Sequence, residues 1–135
     1  MAEKTFAMIK PDAVKAGNTG KIIDMIEQNG FTILRMVKRR IDKETAEKFY
    51  GIHSDKPFFS ELVEFITSGS VVVLALEKEN AISSWRTLMG ATNPTDAAPG
   101  TIRQQFGTSI GTNATHGSDA PETAAEELKL FFPEL

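Results

Sequence analysis

His116 is one of two histidines in this 135-residue chain, and it stands in Asn113-Ala114-Thr115-His116-Gly117-Ser118-Asp119, after a long Gly/Thr/Pro/Asn-rich segment and before a helix-forming one. That placement predicts an exposed, positioned imidazole rather than one packed in a core. A neutral imidazole keeps a lone pair on one ring nitrogen while its other N–H is held by a carboxylate or carbonyl, so such a histidine can serve as base or nucleophile. A nucleophile needs an electrophile, and the cations that would recognise a polyphosphate, Lys10, Arg86 and Arg103, lie upstream. The set points to phosphoryl transfer through His116. A triad of His116, Ser118 and Asp119 is disfavoured, because a triad base must lie between its two partners in space and adjacent positions rarely allow that. Asp119-x-x-Glu122 reads instead as a helix N-cap followed by its first-turn carboxylate.

Several other chemistries lack their usual signals. Gly17-Asn18-Thr19-Gly20-Lys21 resembles a fragment of a phosphate-binding loop but misses the glycine spacing and the following Ser/Thr, and it reads as a turn into a helix. The chain has no G-x-G-x-x-G, H-E-x-x-H, EF-hand loop or G-x-S-x-G. Asn113-Ala114-Thr115 matches a glycosylation acceptor only formally, since no secretory signal is visible at Met1-Ala2-Glu3-Lys4-Thr5-Phe6. The cytoplasm is the expected compartment.

Composition sets the outer limits. With 41% apolar and 24% charged residues the chain is ordinary for a globular protein, and no apolar run approaches the roughly 18 residues of a membrane span. The length suits one domain over residues 1–135 with a core that needs no staples. Cysteine is absent, which excludes disulfides, thiolate catalysis and Cys-rich zinc modules. A net charge of −3 disfavours broad adhesion to nucleic acid or anionic lipid while leaving room for a local anion pocket. Lys38-Arg39-Arg40, the densest basic cluster, reads as a solvated strand end.

The elements that must position these residues follow from periodicity and punctuation. Lys4 to Ile9 reads as a strand stopped by Pro11, so Lys10 falls at a strand end. Thr19 to Asn29 sets Ile22, Met25 and Ile26 on one helical stripe closed by Asn29-Gly30. Phe31 to Val37 reads as a second strand, Lys43 to Tyr50 as a short helix behind Asp42, and Asp55-Lys56-Pro57 as the start of a helix running to Gly69. Val71 to Leu76 is the surest strand, apolar throughout as expected of the middle of a sheet. Asn80 offers an N-cap to a helix carrying Ile82, Trp85 and Met89 and closed by Gly90. Residues 91–112 form a long loop with a turn of helix around Thr101 to Phe106, of the length that is usually functional. His116 falls on a short strand, and Pro121 to Phe132 on a last helix with Ala124, Ala125, Leu128 and Phe132 inward. The order fits an α+β sandwich, a ferredoxin-like βαββαβ core in which one antiparallel sheet is covered by helices.

The His116 heptapeptide resembles the active-site signature of the nucleoside diphosphate kinases. Thr5-Phe6-Ala7-Met8-Ile9-Lys10-Pro11-Asp12, Lys56-Pro57-Phe58-Phe59, Ser68-Gly69, Gly90-Ala91-Thr92-Asn93-Pro94 and Pro99-Gly100-Thr101-Ile102-Arg103 also occur in that family's order and spacing, so the likeness covers essentially the whole chain. The resemblance implies a ping-pong transfer of the γ-phosphoryl between nucleoside tri- and diphosphates, with His116 phosphorylated on Nδ1. It further implies phosphate contacts from Lys10, Arg86, Thr92 and Arg103, ribose contacts from Lys10 and Asn113, and a base stacked on Phe58 with Ile110 over its other face. Tyr50 would lie beside His116, Glu127 would hold the non-reacting imidazole nitrogen, and Ser118 would stand behind the histidine. Spacing alone would leave Glu127 on a solvated helix face. Mg²⁺ would arrive on the nucleotide phosphates, with no protein metal ligand. A homo-oligomer, hexamer or tetramer built from dimers, is implied as well. Ala114-Thr115 replaces bulkier apolar residues of familiar members, and the chain ends soon after Phe132-Pro133, which bears on assembly rather than on the site. Two rival readings keep the same pocket: a binding module that stacks and holds nucleotides without transfer, and a relay that passes the phosphoryl from His116 to a protein.

Overall fold

A computed structural model describes residues 2–51 and 54–135. Among them, four strands form one antiparallel sheet in the order β2-β3-β1-β4: β1 (Ala2–Ile9), β2 (Thr32–Arg40), β3 (Ser70–Glu79) and β4 (Thr115–Gly117). The helices are α1 (Pro11–Lys15), α2 (Thr19–Gln28), α3 (Lys43–Phe49), α4 (Phe59–Ile66), α5 (Ala81–Met89), α6 (Ile102–Phe106) and α7 (Pro121–Phe131), with a 3₁₀ turn at Pro94–Asp96. The expected ferredoxin-like arrangement is the observed one.

Side chains alternate across a pleated strand, so a central strand covered on both faces must be apolar at consecutive positions. β1 and β3 obey this. Ala7, Ile9, Val72, Leu74 and Leu76 pack on one side with Ile22 and Ile26 of α2 and Trp85 and Met89 of α5. Phe6, Met8, Val71, Val73 and Ala75 pack on the other with Ala46, Val63, Ile66 and Phe131 from α3, α4 and α7. β2 is one of the two edge strands and is mostly exposed. It runs past Val37 through Lys38-Arg39-Arg40, which pair with Val72, Val71 and Ser70, so the basic cluster lies within the strand's paired end rather than after it. A register shift between Ile33 and Arg35 lets the strand bend before that end.

Several helix ends differ from expectation. Pro11 does not merely stop β1 but opens α1, the position where a missing N–H costs nothing. α4 begins only at Phe59. In α7, Ala125 is exposed and Glu127 takes the inward place. Asn80 occupies the N-cap position of α5, but with φ 54° its side chain makes no cap; the Ile82 N–H donates instead to Glu3 Oε1 at 2.9 Å. Gly90 ends that helix at φ +88°, where a Cβ would lie 2.6 Å from Thr101 Oγ1, so the chain can turn there only as glycine.

The cap supplied from β1 has a measurable consequence. Glu3→Ala should lower the free energy of unfolding by about 1 kcal/mol in urea titration, whereas Asn80→Gly, suited to the left-handed backbone, should change it by only a few tenths.

Candidate active site

His116 is fixed by backbone pairing before any side chain acts. It lies opposite Met8 in the β1·β4 ladder, and directly opposed residues point to the same face, so the imidazole emerges beside Phe6 and the α3·α7 layer. Phe49 meets the imidazole edge to face at 4.8 Å between ring centres. Below it, Gly117 leaves the space that Trp85 fills: a Cβ there would collide with the indole, whose N–H donates to the His116 carbonyl at 3.2 Å. About 24% of the His116 side chain remains exposed, so the imidazole is more enclosed than its loop-rich surroundings suggested.

Glu127 controls the ring. Both of its carboxylate oxygens lie 3.2 Å from His116 Nε2, and Ser118 Oγ donates to Oε1 at 2.7 Å. An ionised carboxylate only accepts, so the partner assigns the proton to Nε2 and leaves Nδ1 with the lone pair. Ser118 is fully buried and Glu127 nearly so, which keeps water from competing for these bonds.

A cleft of about 350 Å³ opens over the imidazole, lined by Lys10, Tyr50, Arg86, Thr92, Arg103, Ile110, Asn113, Glu127 and His116 among others. A larger hollow of about 610 Å³ lies between α1 and the Ser68–Ser70 turn, but the convergence of ionisable groups rather than size marks the site. Lys10 donates from Nζ to Asn113 Oδ1 at 2.9 Å, and Asn113 Nδ2 donates to the Thr92 carbonyl at 3.0 Å. Arg103 is buried on α6, its two terminal nitrogens donating to the carbonyls of Gly90 at 3.1 Å and Thr115 at 2.9 Å. These bonds tie the long loop to the strand that carries His116.

Burial of cations shows in their proton affinity. Burial, and next the charge of Arg103, pull the Lys10 ammonium down to about 8, with Asp12 opposing. Burial and then Arg86 lower the Arg103 guanidinium to about 10. Burial and the Glu127 charge push the Tyr50 hydroxyl well above its ordinary range, so it stays a donor at neutral pH. Three cations in one partly desolvated cleft are built for an anion.

Of the residues singled out in the sequence, Phe58 stands apart from the cleft lining. It is 42% exposed at the head of α4 while Phe59 and Leu62 pack on the core, and Ile110 is 61% exposed at the cleft wall. Asp119, read as a helix cap, is exposed on the cleft; Ala120 holds the cap position of α7. Sequence reasoning passed over Phe49, Thr123 and Asp12. Phe49 carried no signal beyond its place next to Tyr50, whereas Asp12 stood in a quoted motif without a role.

A sequence model described as nucleoside diphosphate kinase matches residues 3–135. The chain is 58% identical over 133 residues to a nucleoside diphosphate kinase of Desulfotalea psychrophila, covering 98% of this chain and 97% of that one. It is 57% identical over 130 residues to that of Deinococcus radiodurans, covering 96% and 94%. Its fold superposes on the Aquifex aeolicus nucleoside diphosphate kinase with a TM-score of 0.96 at 45% identity, covering 98% and 96% of the two chains. A Halobacterium salinarum nucleoside diphosphate kinase solved in complex with CDP gives 0.95 at 44% identity, with 99% and 90% covered.

The lowered Lys10 pKa predicts a pH dependence of stability. Between about 8 in the folded chain and 10.5 in the unfolded one, the unfolded state binds the extra proton, so the Lys10 contribution to stability rises with pH across that window. Denaturant titrations of the wild type and Lys10→Met should show the difference between them changing in this sense between neutral pH and pH 10.

Proposed function

This chain belongs to the nucleoside diphosphate kinase family, which moves the γ-phosphoryl of a nucleoside triphosphate onto a nucleoside diphosphate, and we propose that His116 Nδ1 is the atom that carries it. The observation that supports this assignment is the Nε2 bond to Glu127, which leaves Nδ1 unprotonated in a cleft lined by cations.

In the first half-reaction the Nδ1 lone pair forms a bond to the γ-phosphorus as the bond from that phosphorus to the bridging oxygen breaks. The electron pair leaves on the β-phosphate of the departing diphosphate. No proton need move, because Nε2 keeps its own. Positive charge grows on the ring as the nitrogen–phosphorus bond forms, and the buried Glu127 carboxylate, held by Ser118, offsets it without reorganising. The second diphosphate enters the same cleft and reverses the step, so donor and acceptor use one site in turn.

Lys10, Arg86, Thr92 and Arg103 are assigned to the phosphates, where guanidinium forks and an ammonium match charge spread over phosphoryl oxygens. Lys10 and Asn113 are assigned to the ribose hydroxyls, Tyr50 to the neighbourhood of the transferring group, and Phe58 and Ile110 to the two faces of the base. Stacking from exposed apolar side chains reads any base, which suits broad nucleotide use. The divalent ion is assigned as Mg²⁺ carried on the phosphates, where it would neutralise charge. Glu127, already engaged by His116 and Ser118, is not needed to hold it.

The same reading takes residues 1–135 as one working domain, placed in the cytoplasm and assembled as a homo-oligomer, hexamer or tetramer, from dimers. Met36 and Val37, about half exposed on opposite faces of the edge strand β2, favour a covered edge there.

Intact mass after brief incubation with Mg-ATP tests the transfer. One acid-labile phosphoryl should appear on the wild type, none on His116→Ala, and added GDP should discharge it as GTP. No phosphoryl despite bound ATP would leave a binding module, and a phosphoryl that GDP fails to remove would leave a relay. Glu127→Gln should lower kcat by about 10- to 100-fold with little change in nucleotide KM, read in steady-state assays.

A further inference from the structure

Ala114, two residues before His116, is fully buried and has φ +74°, a conformation that non-glycine residues adopt only when their surroundings impose it. The Thr115 N–H donates to the Asn113 carbonyl at 2.9 Å, closing a three-residue γ-turn of the rarer, positive-φ kind around Ala114. What imposes it is the strand end where Lys10 sits. The Lys10 N–H donates to the Ala114 carbonyl at 2.8 Å, and the Ala114 N–H donates to Asp12 Oδ2 at 3.0 Å. Both ends of the Ala114 residue are therefore gripped by one short segment, with Pro11 stiffening the span between its two holds.

We propose that Asp12 is a positioning residue for the transfer step, its carboxylate holding the Ala114 turn that sets His116 against the cleft. This rests on the reading of His116 as nucleophile. Buried N–H groups must be paired, and among the described residues the Asp12 side chain is the partner this one has. Without that acceptor the turn has reason to relax, and the turn joins Asn113, bonded to Lys10 Nζ, to the strand that holds His116. Displacement of a reacting group by a fraction of its bond length to substrate is enough to slow an in-line transfer.

Asp12 has a second, electrostatic action on the same neighbourhood. Its charge favours the protonated form of Lys10, against burial and Arg103; Arg86, His116, Glu127 and Asp119 share the cleft that Lys10 faces. Asparagine at this position keeps an acceptor for the Ala114 N–H and removes the charge, so the two actions separate.

The test compares wild type, Asp12→Asn and Asp12→Ala by kcat and nucleotide KM from neutral to alkaline pH, together with hydrogen exchange at the Ala114 amide. At neutral pH, Asp12→Ala should lose about 10²-fold in kcat with a much smaller change in KM, and its Ala114 amide should lose protection. Asp12→Asn should recover most of that kcat and keep the amide protected, while its KM begins to rise at lower pH than in the wild type. Wild-type kcat in Asp12→Ala, or an Asp12→Asn that folds yet loses as much kcat as Asp12→Ala, overturns the proposal. Should Asp12→Ala fail to fold, the asparagine variant decides by its kcat and its Ala114 protection. If His116 takes up no phosphoryl even in the wild type, the nucleophile reading has failed; the amide measurement then still shows whether Asp12 holds the turn.

Discussion

The pairing of β4 with β1 is the contact on which the candidate site depends. Only three residues of β4 join the sheet, yet they place His116 opposite Met8 on one of the most deeply buried strands. An edge strand so short has little hold of its own. It is made rigid by what meets it from each side: the α5 indole on its carbonyl, Arg103 on the carbonyl of Thr115, and Asp12 on the turn that feeds it. His116 thus borrows its rigidity from the centre of the sheet, although it stands at the margin.

A second constraint runs against the first. Positive charge is gathered where water is scarce, since Lys10 and Arg103 are both drawn well into the protein and both hold their protons less tightly as a result. Such a cleft is costly when empty and becomes favourable when an anion enters, so the same groups that weaken the free chain suit the cleft to an anion. Arg103 shows how the cost is contained. Its guanidinium is spread over two backbone carbonyls, each belonging to a segment that must stay in place for the cleft to exist.

Much of this was legible in the residues. The continuous apolar run at Val71–Leu76 announced a strand covered on both faces, and the Asn29-Gly30 pair announced the end of α2, because each pattern is set by local geometry. His116 with Lys10, Arg86 and Arg103 suggested phosphoryl chemistry from residue type alone. Other features depend on contacts between distant parts of the chain and leave no local mark. Glu127 on a helix is indistinguishable from a solvated carboxylate until the helix is laid against β4. Asn80 has the residue type of a cap, but Glu3, 79 residues from the Ile82 amide it accepts from, supplies it. Asp119 gave way as a cap to Ala120 because the chain enters α7 one residue later than its polar pattern suggests. The γ-turn at Ala114 was invisible for the same reason: a positive φ at alanine comes from its surroundings and not from alanine.

The bond from Trp85 to the His116 carbonyl makes the histidine optically legible. This is the chain's single tryptophan, it is wholly buried, and its indole N–H donates to the backbone carbonyl of His116. Indole emission responds to the polarity and hydrogen bonding around the ring, and no other indole is present to dilute the signal. The fluorescence of the unlabelled protein therefore reports from directly beneath the imidazole, so each gain or loss of charge on that ring can be followed in real time without attaching a dye.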